Sequence, residues 1–200
     1  MNIDTLINAR WVIPVSPDNL VLDDHSVAIQ GGRILEVLPS PEAREKYTPT
    51  HEQDLGKHAL IPGLINAHTH ASMSLLRGLA DDMPLMTWLT EHIWPAEARW
   101  ISEEFVADGT RLAVAEMLRG GITCFNDMYF FPDIAARAAA HCGMRASIGL
   151  IVLDFPTIWA RDADEYISKG LAVHDQYRSD PLITTLFAPH APYTVSDKPL

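Results

Sequence analysis

Hydrophobic and polar positions follow two different rhythms along the chain. In the first part the rhythm is short. Residues 3–7 and 11–15 are β-rich. Ser26-Val27-Ala28-Ile29-Gln30 and Arg33-Ile34-Leu35-Glu36-Val37 alternate on either side of Gly31-Gly32. That arrangement predicts a β-hairpin, because both turn residues must take positive φ. Pro39, Pro41 and Pro49, with charged residues between them, predict a linker. Residues 1–57 thus form a small β-rich domain, and a second domain covers 58–200.

From His58 the rhythm lengthens into strand and helix in alternation. Apolar runs occupy 59–67 (interrupted by Pro62-Gly63), 122–125, 147–153 and 182–188. Runs apolar on both faces suit a buried parallel sheet. Between them lie helices with readable ends. Ser102 is placed to cap a helix with Glu103 and Glu104 in its first turn and Gly120-Gly121 as its stop. Pro132-Asp133 opens a second that ends at Gly143. Asp162, Asp164 and Glu165 open a third, ending near Tyr177. This order predicts right-handed βαβ units. A (β/α)₈ barrel and a doubly wound sheet both fit, although no GxGxxG follows any strand. A barrel takes about 250 residues. Four strands are used by residue 188, and Val195-Ser196-Asp197 resembles a new helix start. The expectation is therefore that 58–200 is the first half of a barrel within a longer protein.

Composition narrows the function classes. Fifteen Lys+Arg against 26 Asp+Glu give a net charge of −11, unsuited to gripping a nucleic acid. No apolar run approaches the roughly 20 residues of a membrane span, so no membrane partner is expected. Two cysteines and an N-terminus without a signal-peptide pattern point to the reducing cytoplasm.

Polar residues gather at the C-terminal ends of the four expected strands: Asn66-Ala67-His68-Thr69-His70, Asn126-Asp127, Asp154 and Pro189-His190. Active sites of parallel α/β sheets are built there. His68 and His70 are two apart, so an extended strand points both imidazoles the same way. Such a pair suits zinc and related metals. A pair arises readily by chance among nine histidines, and a structural pair at a strand end is the alternative. Asp127 and Asp154 are expected to cap helices, with orientation of a ligand histidine the alternative for Asp127. The cluster Met83, Leu85, Met86, Trp88, Ile93 and Trp94 reads mainly as a buried helix face, with some members free to line a pocket.

The stretch Leu60-Ile61-Pro62-Gly63-Leu64-Ile65-Asn66-Ala67-His68-Thr69-His70 resembles the signature of the amidohydrolase superfamily. Leu75-Leu76-Arg77-Gly78-Leu79-Ala80-Asp81-Asp82, Ile93-Trp94-Pro95-Ala96-Glu97, Asn126-Asp127-Met128-Tyr129 and Ala188-Pro189-His190-Ala191-Pro192-Tyr193 resemble the 5′-methylthioadenosine/S-adenosylhomocysteine deaminases within it. The resemblance implies a (β/α)₈ TIM barrel beside a small β-sandwich, of which 1–57 would be the N-terminal share. It implies one divalent metal, usually zinc, with His68 and His70 as the first two ligands. Glu97 matches the residue that holds ribose hydroxyls, and His190 one that contacts the purine. The third His, the carboxylate ligand and the general-base Glu are expected beyond residue 200. The implied reaction is hydrolytic deamination of a small-molecule adenine nucleoside to an inosine analogue and ammonia. Homo-oligomerisation is compatible with it. Guanine deaminases and triazine hydrolases resemble the same group, and a non-catalytic metal-binding fragment is the remaining alternative. Some relatives hold the homocysteine carboxylate with arginines after the third strand; here Arg161 is the nearest.

Overall fold

The computed structural model describes residues 1–199, which divide into two compact units, Met1–Pro62 and the described residues from Gly63 onward. The first unit is a four-stranded sheet in the order β3-β2-β1-β4. Strand β1 (Asn2–Val12) merges the two β-rich runs into one. It pairs antiparallel with β2 (Leu22–Gln30), which turns through Gly31 and Gly32 into β3 (Arg33–Pro39). The turn glycines have φ of 58° and 73°, as the expected hairpin requires.

The expected linker is a correction. Pro39 ends β3, and residues Ser40–Lys46 form helix α1 with Pro41 in its first turn, where a missing N–H costs nothing. Ala43 and Tyr47 bury against Ile3, Leu6, Ala28 and Leu38. Strand β4 (Thr48–Leu60) then runs parallel to β1. Its residues, mostly exposed and polar, carry no alternation that would reveal it. A polar network ties this strand in. Asn8 Nδ2 donates to Glu52 (2.8 Å) and Asp54 (2.7 Å), and Arg44 pairs with both carboxylates.

The second unit is a parallel sheet in the order β5-β6-β7-β8, flanked by helices. Its strands are β5 (Leu64–Thr69), β6 (Ile122–Met128), β7 (Arg145–Val152) and β8 (Ile183–Pro189). Three long helices begin and end where their capping chemistry dictates. Ser102 Oγ accepts from the Phe105 amide at 3.1 Å to start α4 (Glu103–Arg119). Helix α5 (Pro132–His141) has proline in its first turn and stops before Gly143, at φ 70°. Asp162 caps α6 (Ala163–Tyr177) by accepting from Glu165. The inner faces of these helices meet Phe125, Ala146, Ile148 and Leu150 in the main core. Among the described residues, no helix is long and apolar enough to cross a membrane.

Between β5 and α4 the chain winds through a 3₁₀ helix (Ala71–Leu76), a short α2 (Leu85–Thr87), a π-helical turn (Trp88–Ile93) and α3 (Trp94–Trp100). The 3₁₀ helix is fixed from two sides. Its first amide, Ala71 N–H, donates to Asp127 Oδ1 at 2.7 Å, and its Ser72 backbone lies against α4 at Gly109. A Cβ at Gly109 would fall 2.7 Å from Ser72 Cα and closer still to the Ser72 carbonyl oxygen. Gly109→Ala should therefore overpack this junction and destabilise the unit by about 1–3 kcal/mol. Gly56→Ala, where a Cβ meets open space, is the control. Thermal melts of both variants in the full-length protein check this; equal melting temperatures would contradict it.

Candidate active site

The strand ends converge as expected, on a cavity of about 530 Å³. One wall comes from the segment after the 3₁₀ helix: Leu85, Trp88, Leu89, Ile93, Trp94, Glu97 and Ala98. Six of these seven residues lie in pairs, 88/89, 93/94 and 97/98, and the step from the first pair to the second is five residues. An α-helix repeats at three or four. The π-helical turn absorbs the extra residue and keeps both pairs on one wall. Leu153, Phe155, Pro156 and Ile158, from the loop after β7, form the facing apolar wall. Of the apolar cluster noted in the sequence, Leu85, Trp88, Ile93 and Trp94 line the cavity, and Met83 and Met86 are not among its lining residues.

Polar groups enter this apolar space at a few points. His70 lines it, half-buried, at the end of β5. Its Nδ1 lies 2.7 Å from the Met128 carbonyl, which can only accept. The proton therefore sits on Nδ1, leaving the Nε2 lone pair to hold a metal. His68 is exposed and is not among the lining residues; its ring stands edge-on to that of His70, centroids 5.2 Å apart. Two imidazoles at the end of β5, one with its tautomer fixed by a carbonyl, fit part of a zinc ligand set. Among the described residues no cluster of three or more His, Cys, Asp or Glu forms a complete one.

Glu97 lines the cavity from α3. Its Oε1 accepts from Tyr129 Oη at 2.7 Å. Burial pushes this carboxyl up, with the hydrogen bond from Tyr129 and then the nearby His70 opposing it. Tyr129 follows β6 and is buried. Burial, and then the Glu97 charge, push its phenol up, so it remains a proton donor. The sequence alone gives Tyr129 no role; its one signal there is a polar aromatic residue just past a strand end.

His190 follows β8 and lines the cavity beside Tyr193, ring centroids 6.5 Å apart. Its Nδ1 is 2.9 Å from Thr194 Oγ1. Although its side chain reaches solvent, the packing around it and the nearby His70 push its pKa down, which favours the neutral ring at pH 7. Thr194 is a second participant the sequence had not suggested.

The two strand-end aspartates cap different segments from those their neighbouring helices would suggest. Asp127, almost fully buried, holds the start of the 3₁₀ helix after β5 rather than α5. Burial pushes its carboxyl up to about 7. Asp154 accepts from the Ser196 amide at 2.6 Å, fastening the His190–Ser196 loop, while Asp162 caps α6. Arg161 is largely exposed and paired with Glu165 at 2.7 Å, outside the lining of the cavity.

Comparison with known proteins places this geometry. Residues 59–200 match the model of the amidohydrolase family. The chain is 53% identical to a 5-methylthioadenosine/S-adenosylhomocysteine deaminase of Saccharophagus degradans, over 98% of the chain and 44% of that protein. It superposes with a TM-score of 0.97 on the crystal structure of an adenosine deaminase from Xanthomonas campestris with bound zinc, at 54% identity, covering 99% of this chain and 45% of that one. An atrazine chlorohydrolase from Arthrobacter aurescens complexed with zinc shares the fold, with a TM-score of 0.85 at 20% identity over 96% of this chain and 48% of its own. The chain thus spans less than half the length of these relatives. On the family match, which takes in both histidines, Glu97 and His190, this chain belongs to the amidohydrolase family.

Proposed function

We propose that the protein containing this chain hydrolytically deaminates an adenine nucleoside, with 5′-methylthioadenosine as the preferred substrate. The observation that carries this reading is the composition of the cavity. A space of about 530 Å³, walled by aromatic and aliphatic side chains, receives one half-buried carboxylate and two imidazoles. Small-molecule sites have this character: mostly apolar, with a few convergent polar groups. The names of the relatives support the same reaction class.

In this reading 58–200 is the first half of a metal-dependent (β/α)₈ barrel, and 1–57 contributes to a small β-sandwich. In the same reading His68 and His70 hold a divalent metal, zinc. When bound, the metal supplies Lewis acidity, lowering the pKa of water toward about 7. Glu97 grips the 2′- and 3′-hydroxyls of the ribose, since a carboxylate has about four acceptor sites and Tyr129 takes one. His190, neutral, contacts the base. The apolar walls take up the thioether and exclude water from the reacting carbon. Water adds at C6 of the purine, the C6–N bond breaks, and ammonia leaves. The general base that relays the proton is expected outside this chain. With Arg161 committed to Glu165, the homocysteine carboxylate has no cation among the described lining residues, which favours methylthioadenosine over S-adenosylhomocysteine. The free thiols of Cys124 and Cys142 support a reducing, cytoplasmic setting.

Two results are expected of the full-length protein. His68→Ala and His70→Ala each lose stoichiometric zinc by elemental analysis and lose turnover; a variant retaining both would remove the pair from the metal site. Glu97→Ala lowers kcat/KM for methylthioadenosine on the order of 10²–10⁴-fold, as expected for two hydrogen bonds to a charged group. The 2′,3′-dideoxy analogue, which lacks both hydroxyls, is much less affected. Equal losses on the two substrates, followed by absorbance at the adenine band, would favour a hydrolase of a bare heterocycle such as guanine or a triazine.

A further inference from the structure

Two neighbouring residues at the end of β6 reach in different directions. The Met128 carbonyl accepts from His70 Nδ1, and the Tyr129 hydroxyl donates to Glu97 Oε1, each at 2.7 Å. Tyr129 is only 6% exposed, and its ring packs on Phe130 with centroids 5.1 Å apart. The hydroxyl is therefore held by the sheet, whereas Glu97 stands on a helix of seven residues with a long, rotatable side chain. A free glutamate loses rotamer freedom when it binds a ligand, and that loss weakens binding. One already held by a rigid donor has met this cost during folding.

We propose that Tyr129 is a positioning residue for ligand recognition: its hydroxyl fixes Glu97 Oε1 so that the remaining acceptor sites of the carboxylate meet a ligand carrying two adjacent hydroxyls. The inference rests on the nucleoside reading for the identity of that ligand. It adds that recognition of the diol is built into the β6 terminus, beside the carbonyl that fixes the tautomer of His70.

Tyr129→Phe removes one O–H and keeps the ring. In the full-length zinc-loaded enzyme, KM for 5′-methylthioadenosine should rise about 10-fold, with kcat changed less than about 3-fold. KM for the 2′,3′-dideoxy analogue should stay where it is. In a Glu97→Ala background the same substitution should add no further loss, because the two residues act as one unit. A tyrosine that merely supported the fold would weaken both substrates alike, and its loss would add to that of Glu97→Ala; either result overturns the proposal. If the unsubstituted enzyme does not distinguish the two substrates, or turns over neither, the nucleoside reading fails first. Crystal structures of the enzyme and its Tyr129→Phe variant then decide the positioning role. A displaced or divided Glu97 carboxylate supports it, and one unmoved in a single conformation overturns it.

Discussion

Three successive residues at the end of β6 hold the site together, each by one hydrogen bond to a different segment. Asp127 accepts from the Ala71 amide, the Met128 carbonyl accepts from His70 Nδ1, and the Tyr129 hydroxyl donates to Glu97. All three partners lie between β5 and α4, where regular secondary structure is short. The strand lies inside the sheet and pairs with β7 without a break in register up to Met128, so its end is a fixed reference. Buried polar groups are costly when unpaired, so each bond constrains where the mobile partner can rest. The placement of His70 and of Glu97 thus follows from one short stretch of chain.

Packing reinforces the same placement from the opposite side. The close approach of the Ser72 backbone to α4 depends on a residue without a side chain at Gly109. The 3₁₀ helix that follows His70 is consequently pressed between a helix and the Asp127 carboxylate. Interiors pack densely enough that small displacements are resisted on every side. Here that density is spent on one turn of chain immediately after the candidate ligands.

Most of the regular elements of the second unit were legible in the sequence, because their signals are local. Ser102, Asp162, Pro132 and Gly143 stand at helix ends for reasons that involve a few neighbouring residues. Helix α1 and strand β4 were not legible. A proline in a first helical turn looks like a linker proline, and a charged parallel strand at a sheet edge has no alternating face. At the site, His68, His70, Glu97 and His190 were visible as residue types at strand ends or within motifs. Tyr129 and Thr194 were not, since each acquires its role only through a partner that folding brings near. The same holds for Asp127 and Asp154, whose capping chemistry was readable while the amides they would serve were not.

The π-helical turn at Trp88–Ile93 gives the cavity wall an unusual tolerance. Each residue of a helix turns the following ones by roughly 100°. A residue added to a plain α-helix would therefore swing everything C-terminal to it off the wall. The wider π turn takes in the added residue, so Glu97 keeps its facing toward the cavity. Losing one residue from the turn would return it to α spacing and leave that facing nearly unchanged. Changes of length in this segment are thus taken up within one turn, and the carboxylate beyond it is insulated from them.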